Sequence, residues 1–175
     1  SDICAMNGRA THALVSIGIP NKYSVEHINE LYGGIKMACK NYNIDLVGGD
    51  TTSSSSGMII SVTVVGRALS NTITYRSGAS PNDLLFVSGD LGGAYLGLQI
   101  LEREKLIFNN NKDFQPELEK YEYILERQLK PEARIDVVDY LQKTNLIPSS
   151  MIDLSDGLNS EIRHICKSSN VGAKI

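Results

Sequence analysis

The chain has 175 residues, enough for one ordinary domain or two small ones, and its 42% hydrophobic and 21% charged content is that of a folded globular protein. A net charge of −3 without any basic block excludes the electrostatic footprint of a nucleic-acid binder, and no apolar run reaches membrane-spanning length. A phosphate-bearing ligand therefore needs a local device: a metal ion, backbone N–H groups or a single arginine.

The chain opens with SDICAMNGRA, which is not a signal peptide and reads as the inside of a motif. It stops at NVGAKI, just after what reads as a strand start, so a piece of a longer protein is expected. Cys4, Cys39 and Cys166 are odd in number and far apart, which argues against a disulfide framework or a zinc site. Buried thiols in a reducing cytosol are expected, and with them a cytoplasmic location.

Residues 24–42 show helical spacing, with Val25, Ile28, Leu31, Ile35, Ala38 and Tyr42 on one face and Ser24 placed to cap the start. IDLVGGD then reads as a short strand ending in two glycines and an aspartate, and TTSSSSG as a mobile polar loop. MIISVTVVGRA, 58–68, is dense in β-branched residues and is the clearest strand. Gly, Ser, Pro and Asn mark 69–82 as the best domain boundary.

DLLFVSG, 83–89, reads as another buried strand, and GGAYLGLQILEREKL as a helix entered through glycines. FNNNKDFQPE, 108–117, is a polar loop. ELEKYEYILERQL and ARIDVVDYLQK carry helical patterns separated by Lys130–Pro131. MIDLSDG, 151–157, reads as strand then turn, and LNSEIRHICKSS as a helix with Leu158, Ile162 and Ile165 on one face. The mix predicts an α+β (mixed α/β) layered fold.

Four aspartates end apolar stretches or sit in Gly-rich turns: Asp2, Asp50, Asp153 and Asp156, with Asp90 a weaker fifth. Hard divalent cations prefer carboxylate oxygens, and magnesium takes only one or two of them plus water and phosphate oxygens. Carboxylates brought together repel, so they need cations to remain ionised. Each acid alone has an alternative use as a turn residue or helix cap. In an extended segment Asp153 and Ser155 point to one side, and Asp156 falls at the next helix entrance, where it either caps residues 158 and 159 or holds a metal.

In GGDTT, Gly48 and Gly49 would let backbone N–H groups face phosphate oxygens, although the loop is not a Walker A motif and no GxGxxG is present. Arg76, among turn residues, is either a bidentate phosphate contact or a solvated loop arginine. Tyr32 either stacks on a base or packs. His12, His27 and His164 form no metal spacing and read as surface or packing residues, and no histidine supports a serine triad.

In chain order, SDICAMNG, LVGGDTT, ISVTVVG, YRSGASPNDLLFVSGDLGGAYLGLQIL, QLKPEAR and MIDLSDGLNSEIRHI resemble the thiamine-monophosphate kinase family of the aminoimidazole ribonucleotide synthetase-like superfamily. The resemblance implies a two-domain architecture, each domain a mixed sheet with packed helices. It divides the chain into a partial N-terminal ATP- and magnesium-binding domain at 1–70, a linker at 71–82 and a partial C-terminal domain at 83–175. It implies transfer of the ATP γ-phosphoryl group to thiamine monophosphate, with Mg2+ and without a phosphoenzyme or general base. By position it makes Asp2, Asp50, Asp153 and Asp156 metal ligands. Gly49, Asp50, Arg76 and Ser155 would touch ATP, and Tyr32 would lie beside the nucleotide. It further implies a homodimer formed through N-terminal sheets in the full-length protein. Asn7 and Gly8 stand where the family usually has Gly-Ala. The family's N-terminal Asp-Asp motif and the C-terminal residues that help hold thiamine have no counterpart here, so weak ATP binding and poor turnover are expected of this chain alone. The competing readings are another superfamily ATP enzyme, of the selenophosphate synthetase or purine ligase kind, and a non-catalytic Mg-nucleotide-binding fragment.

Overall fold

The computed structural model describes residues 1–112 and 115–175. Its fold is mixed α/β, as the sequence predicts, with a three-stranded sheet followed by a helical region. The strands are β1 (Arg9–Ile19), β2 (Asp45–Ser53) and β3 (Ile59–Arg67), in the order β2-β1-β3. The helices are α1 (Val25–Tyr42), α2 (Gly93–Asn110), α3 (Glu122–Leu129), α4 (Ile135–Thr144) and α5 (Leu158–Ser169).

The central strand, β1, is the element that sequence reasoning missed. It pairs parallel with β2 and antiparallel with β3. A parallel neighbour requires a crossover, and α1 supplies it. Ala13, Val15 and Ile17 alternate into the core, with Val15 only 1% exposed. That alternation was readable, but Thr11, His12 and Ser16 dilute it.

The α1 boundaries match the expected helix. Its first turn is closed by Ser24, whose backbone N–H donates to His27 Nδ1 at 3.3 Å. His27 is thus a capping residue, a role its exposed position gave no hint of. The half-buried stripe is Ile28, Leu31, Tyr32, Ile35, Cys39 and Tyr42, while Val25 and Ala38 of the expected face are exposed. Asn43, at φ +53, ends the helix and donates to the Cys39 and Lys40 carbonyls. Asn145 and Asn170 end α4 and α5 in the same left-handed conformation. Asparagine tolerates that region better than other side-chain-bearing residues, because its amide bonds locally.

β2 extends through Thr51–Ser53, so the expected TTSSSSG loop begins only at Ser54. β3 lies where the clearest strand was expected. α2 runs to Asn110, into the expected polar loop 108–117, whose residues 113 and 114 lie outside the described residues. α2 and α3 pack closely at Gly97, where a Cβ would overlap the Ile124 carbonyl. The expected helix at 117–129 starts as a 3-10 turn, Glu119–Tyr121, and becomes α-helical at Glu122.

Two expected strands are absent. Residues 83–89 form no strand, and Leu84 and Phe86 are 80% and 83% exposed. Residues 151–155 are likewise irregular, with Met151 and Ile152 half-buried. An apolar β-branched run has strand propensity, but a strand exists only where a neighbour accepts its ladder hydrogen bonds. Among the described residues no strand lies beside either segment. The 69–82 connector is also not loose: Thr74 is buried and its N–H donates to the Met6 carbonyl at 3.2 Å.

Candidate nucleotide and metal site

The loop carrying Asp2 is a 3-10 turn, Cys4–Met6, that ends on Asn7 at φ +56. That conformation explains a residue choice: where glycine fits freely, asparagine is the side-chain-bearing residue strained least. Asn7 is 1% exposed, and its Nδ2 donates to the Thr72 carbonyl at 3.0 Å. Its own carbonyl accepts from Gln142 Nε2 at 3.3 Å. The Asp2 loop is therefore fixed against both the connector and α4.

The connector in turn is bonded to Ser150 and Met151, just before the DLSDG segment. Met151 N–H donates to the Tyr75 carbonyl at 3.0 Å, and Ser150 Oγ to the Arg76 carbonyl at 2.7 Å. The N–H groups of Gly78 and Ala79 both donate to Ser169 Oγ, at the end of α5, at 3.1 Å. Arg76 is thus held by its backbone while its side chain is exposed.

Asp153 joins these pieces. Ser1 Oγ and Ser155 Oγ each donate to Asp153 Oδ2 at 2.9 Å. Burial pushes the Asp153 carboxyl up, but the two hydroxyls and its own backbone N–H outweigh it and hold the group below the usual carboxylate range. The Asp2 loop, the Arg76 loop and the Asp153–Ser155 segment therefore form one cluster.

Asp156 does not cap α5. The N-cap is Gly157, at φ +106, and no side chain bonds there. The exposed Asp156 instead donates its backbone N–H to Glu161 Oε1 at 3.0 Å. A groove of about 780 Å³ runs past Asp156, Gly157, Asn159, Arg163, His164 and Lys167. Sequence reasoning missed Ser1 and Glu161. The signal for Glu161 was its place on the apolar face of α5, beside Leu158, Ile162 and Ile165.

The remaining expected residues sit on the sheet side. Gly49 lies on β2 so close to β1 that a Cβ would overlap the Val15 carbonyl, which gives it a packing reason to be glycine. Asp50 is exposed on β2, opposite Ser16. Tyr32 is in the half-buried stripe of α1. Asp90 accepts from Tyr123 Oη at 2.6 Å and from Arg127 Nε at 3.1 Å, and the Tyr123 hydroxyl in particular holds its carboxyl below the ordinary range. It pins the glycine-rich entry of α2 to α3.

Among the described residues no three His, Cys, Asp or Glu side chains converge as a complete metal cage. Magnesium does not need one, since it retains waters and is completed by substrate phosphates. Asp2, Asp50, Asp153 and Asp156 are hard oxygen donors of the kind such an ion takes, but among the described residues no three of them converge.

Residues 1–68 match the family model of the AIR synthase related protein, N-terminal domain. The thiamine-monophosphate kinase of Bacillus subtilis (strain 168) is 34% identical over 175 residues, all of this chain and 51% of that protein. That of Aquifex aeolicus (strain VF5) is 35% identical over 176 residues, again all of this chain and 52% of the relative. The solved structure described as AaThiL complexed with AMPPCP and TMP superposes with a TM-score of 0.81 at 32% identity, covering 96% of this chain and 50% of that one. The chain thus spans about half the length of the curated relatives it matches. Its first 68 residues are thus similar to the AIR synthase related N-terminal domain, and along its whole length it is similar to thiamine-monophosphate kinases.

Proposed function

We propose that this chain acts in the phosphorylation of thiamine monophosphate, passing the ATP γ-phosphoryl group directly to the substrate phosphate to give thiamine diphosphate and ADP. The observation that carries this reading is the convergence of the Asp2 loop, the Arg76 loop and Asp153–Ser155, in a chain similar throughout to thiamine-monophosphate kinases. In-line transfer asks mostly for positioning and charge neutralisation, and an acceptor phosphate needs no general base. Asp2, Asp50, Asp153 and Asp156 would hold Mg2+, which supplies neutralisation of the phosphate charge. Arg76 and Ser155 contact ATP, with Gly49 and Asp50 approaching it from β2 and Tyr32 beside the nucleotide. The exposed apolar residues of β3 serve self-association into a homodimer, and the enzyme works in the cytoplasm.

The test is thiamine diphosphate formation from thiamine monophosphate and Mg·ATP, measured against selenide and purine-ligase substrates. Product from thiamine monophosphate alone supports the reading, and turnover of another substrate in its place overturns it. Asp156→Asn is expected to abolish magnesium-dependent turnover with the fold intact. A loss of stability with activity untouched would leave Asp156 a purely structural role in the turn before α5.

A second reading draws on the lack of a converged three-acid cage among the described residues. On it, the chain binds Mg-nucleotide without turning it over. Calorimetric binding of Mg·ATP with no ADP release would favour it.

A further inference from the structure

Glu161 is a carboxylate on the buried face of α5, only 5% exposed, one turn inside the helix. A carboxylate withdrawn from water at such a place is costly unless hydrogen bonds compensate it. Its Oε1 accepts the backbone N–H of Asp156 at 3.0 Å. This reverses the usual arrangement at a helix start, where a side chain before the helix reaches forward to its first N–H groups. Here a side chain inside the helix reaches back and holds the residue before the N-cap.

The bond matters because of what surrounds it. Gly157 has φ +106 and no heavy atom within 4 Å of where its Cβ would stand, so nothing packs against that side of the turn. No side chain caps α5. Asp156 sits between this glycine, whose carbonyl accepts the Glu161 backbone N–H at 3.1 Å, and Ser155, whose hydroxyl donates to Asp153 at 2.9 Å. The far end of α5 is tied through Ser169 to Gly78 and Ala79, in the loop that carries Arg76. We propose that Glu161 is a positioning residue for the nucleotide and metal site, and that its buried carboxylate fixes the Ser155–Asp156 turn relative to α5. This rests on the function proposed above. Glu161 itself touches neither metal nor nucleotide; it acts through the Asp156 backbone.

The test compares Glu161→Met, which keeps the volume but removes the acceptor, with Glu161→Gln, which retains an acceptor oxygen without the charge. Two readouts are taken on each: the Kd for Mg2+ with a non-hydrolysable ATP analogue, and amide hydrogen exchange at residues 153–157. The Met variant is expected to bind at least roughly tenfold more weakly, the scale on which support behind a metal ligand acts. Its Asp156 amide should exchange about tenfold faster, while the Gln variant stays near wild type in both readouts. Unchanged exchange in the Met variant overturns the proposal, as does unchanged affinity when the wild type binds. If the Met variant does not fold, Glu161→Asp, whose acceptor is withdrawn by one methylene, takes its place with the same expected direction. If the wild type binds no Mg-nucleotide, the proposed function fails and the exchange comparison alone decides: faster exchange confined to 153–157 supports the hold on the turn, and no change refutes it.

Discussion

Asp153 shows how a side chain's surroundings set its chemistry. Its folded carboxyl lies below the ordinary range, so it contributes stability above the unfolded value, and that contribution is lost as pH falls through the folded value. Ser155→Ala removes one of the two hydroxyl donors to Oδ2. The expected results are an upward move of the Asp153 titration midpoint, a loss of roughly 1 kcal/mol at neutral pH and a smaller loss once the carboxyl is protonated. An NMR titration with urea melts across the acid limb reads all three. A stationary midpoint would show that the Ser155 hydroxyl does not hold the group down. Asp90 makes the opposite point. Like Asp50 it follows a glycine, yet its oxygens are engaged by Tyr123 and Arg127 while Asp50 stands exposed on β2.

Helices and strands differ in how much of them the sequence discloses. α1 and α5 fall within a residue or so of expectation because their signals are local: a 3.6-residue apolar stripe, a capping serine and a terminal asparagine. The segment 83–89 has equally clear propensity and forms nothing, because ladder bonds come from elsewhere in the chain. Glycines within helices separate the same way. Gly97→Ala would drive a methyl into the Ile124 carbonyl, and a loss of about 1–3 kcal/mol is expected as α2 and α3 are pushed apart. Gly33→Ala on α1 meets open space and is expected to stabilise by up to about 1 kcal/mol. Urea denaturation of the pair checks both. Equal effects would mean that helix propensity, rather than the α2–α3 contact, governs position 97.

The chain as a whole exposes 12739 Å² for a mass of 19.1 kDa. A compact monomer of that mass exposes about 8,400 Å². The surplus of roughly 4,000 Å² exceeds what each partner buries in a standard protein interface. Much of it is apolar: Ile60, Val62 and Val64 of β3 continue the face whose β1 members, Ile17, Val15 and Ala13, are buried, yet all three are exposed. Apolar sheet surface of this kind favours association. We expect the chain to self-associate at micromolar concentration, and Val62→Lys to weaken association by at least about tenfold by placing a charge on that face. Sedimentation velocity decides it: a wild-type chain that sediments as a monomer removes the assignment of β3 to self-association.

By itself the sequence determined the mixed α/β class and the spans of α1 and α5, and it offered hard oxygen donors, glycines and one arginine in a fixed order as candidates for a site. These are legible because periodicity, capping and donor type are properties of neighbouring residues. Only the tertiary structure decided that β1 is the central strand, that 83–89 and 151–155 form no strand, and that Asp153 gathers Ser1 and Ser155. It also decided that Asp156 is held through its backbone by Glu161 instead of capping α5. Each of those outcomes depends on a partner distant in the chain or on the direction a side chain takes after the turn is built. A linear pattern offers the groups but does not choose between their partners.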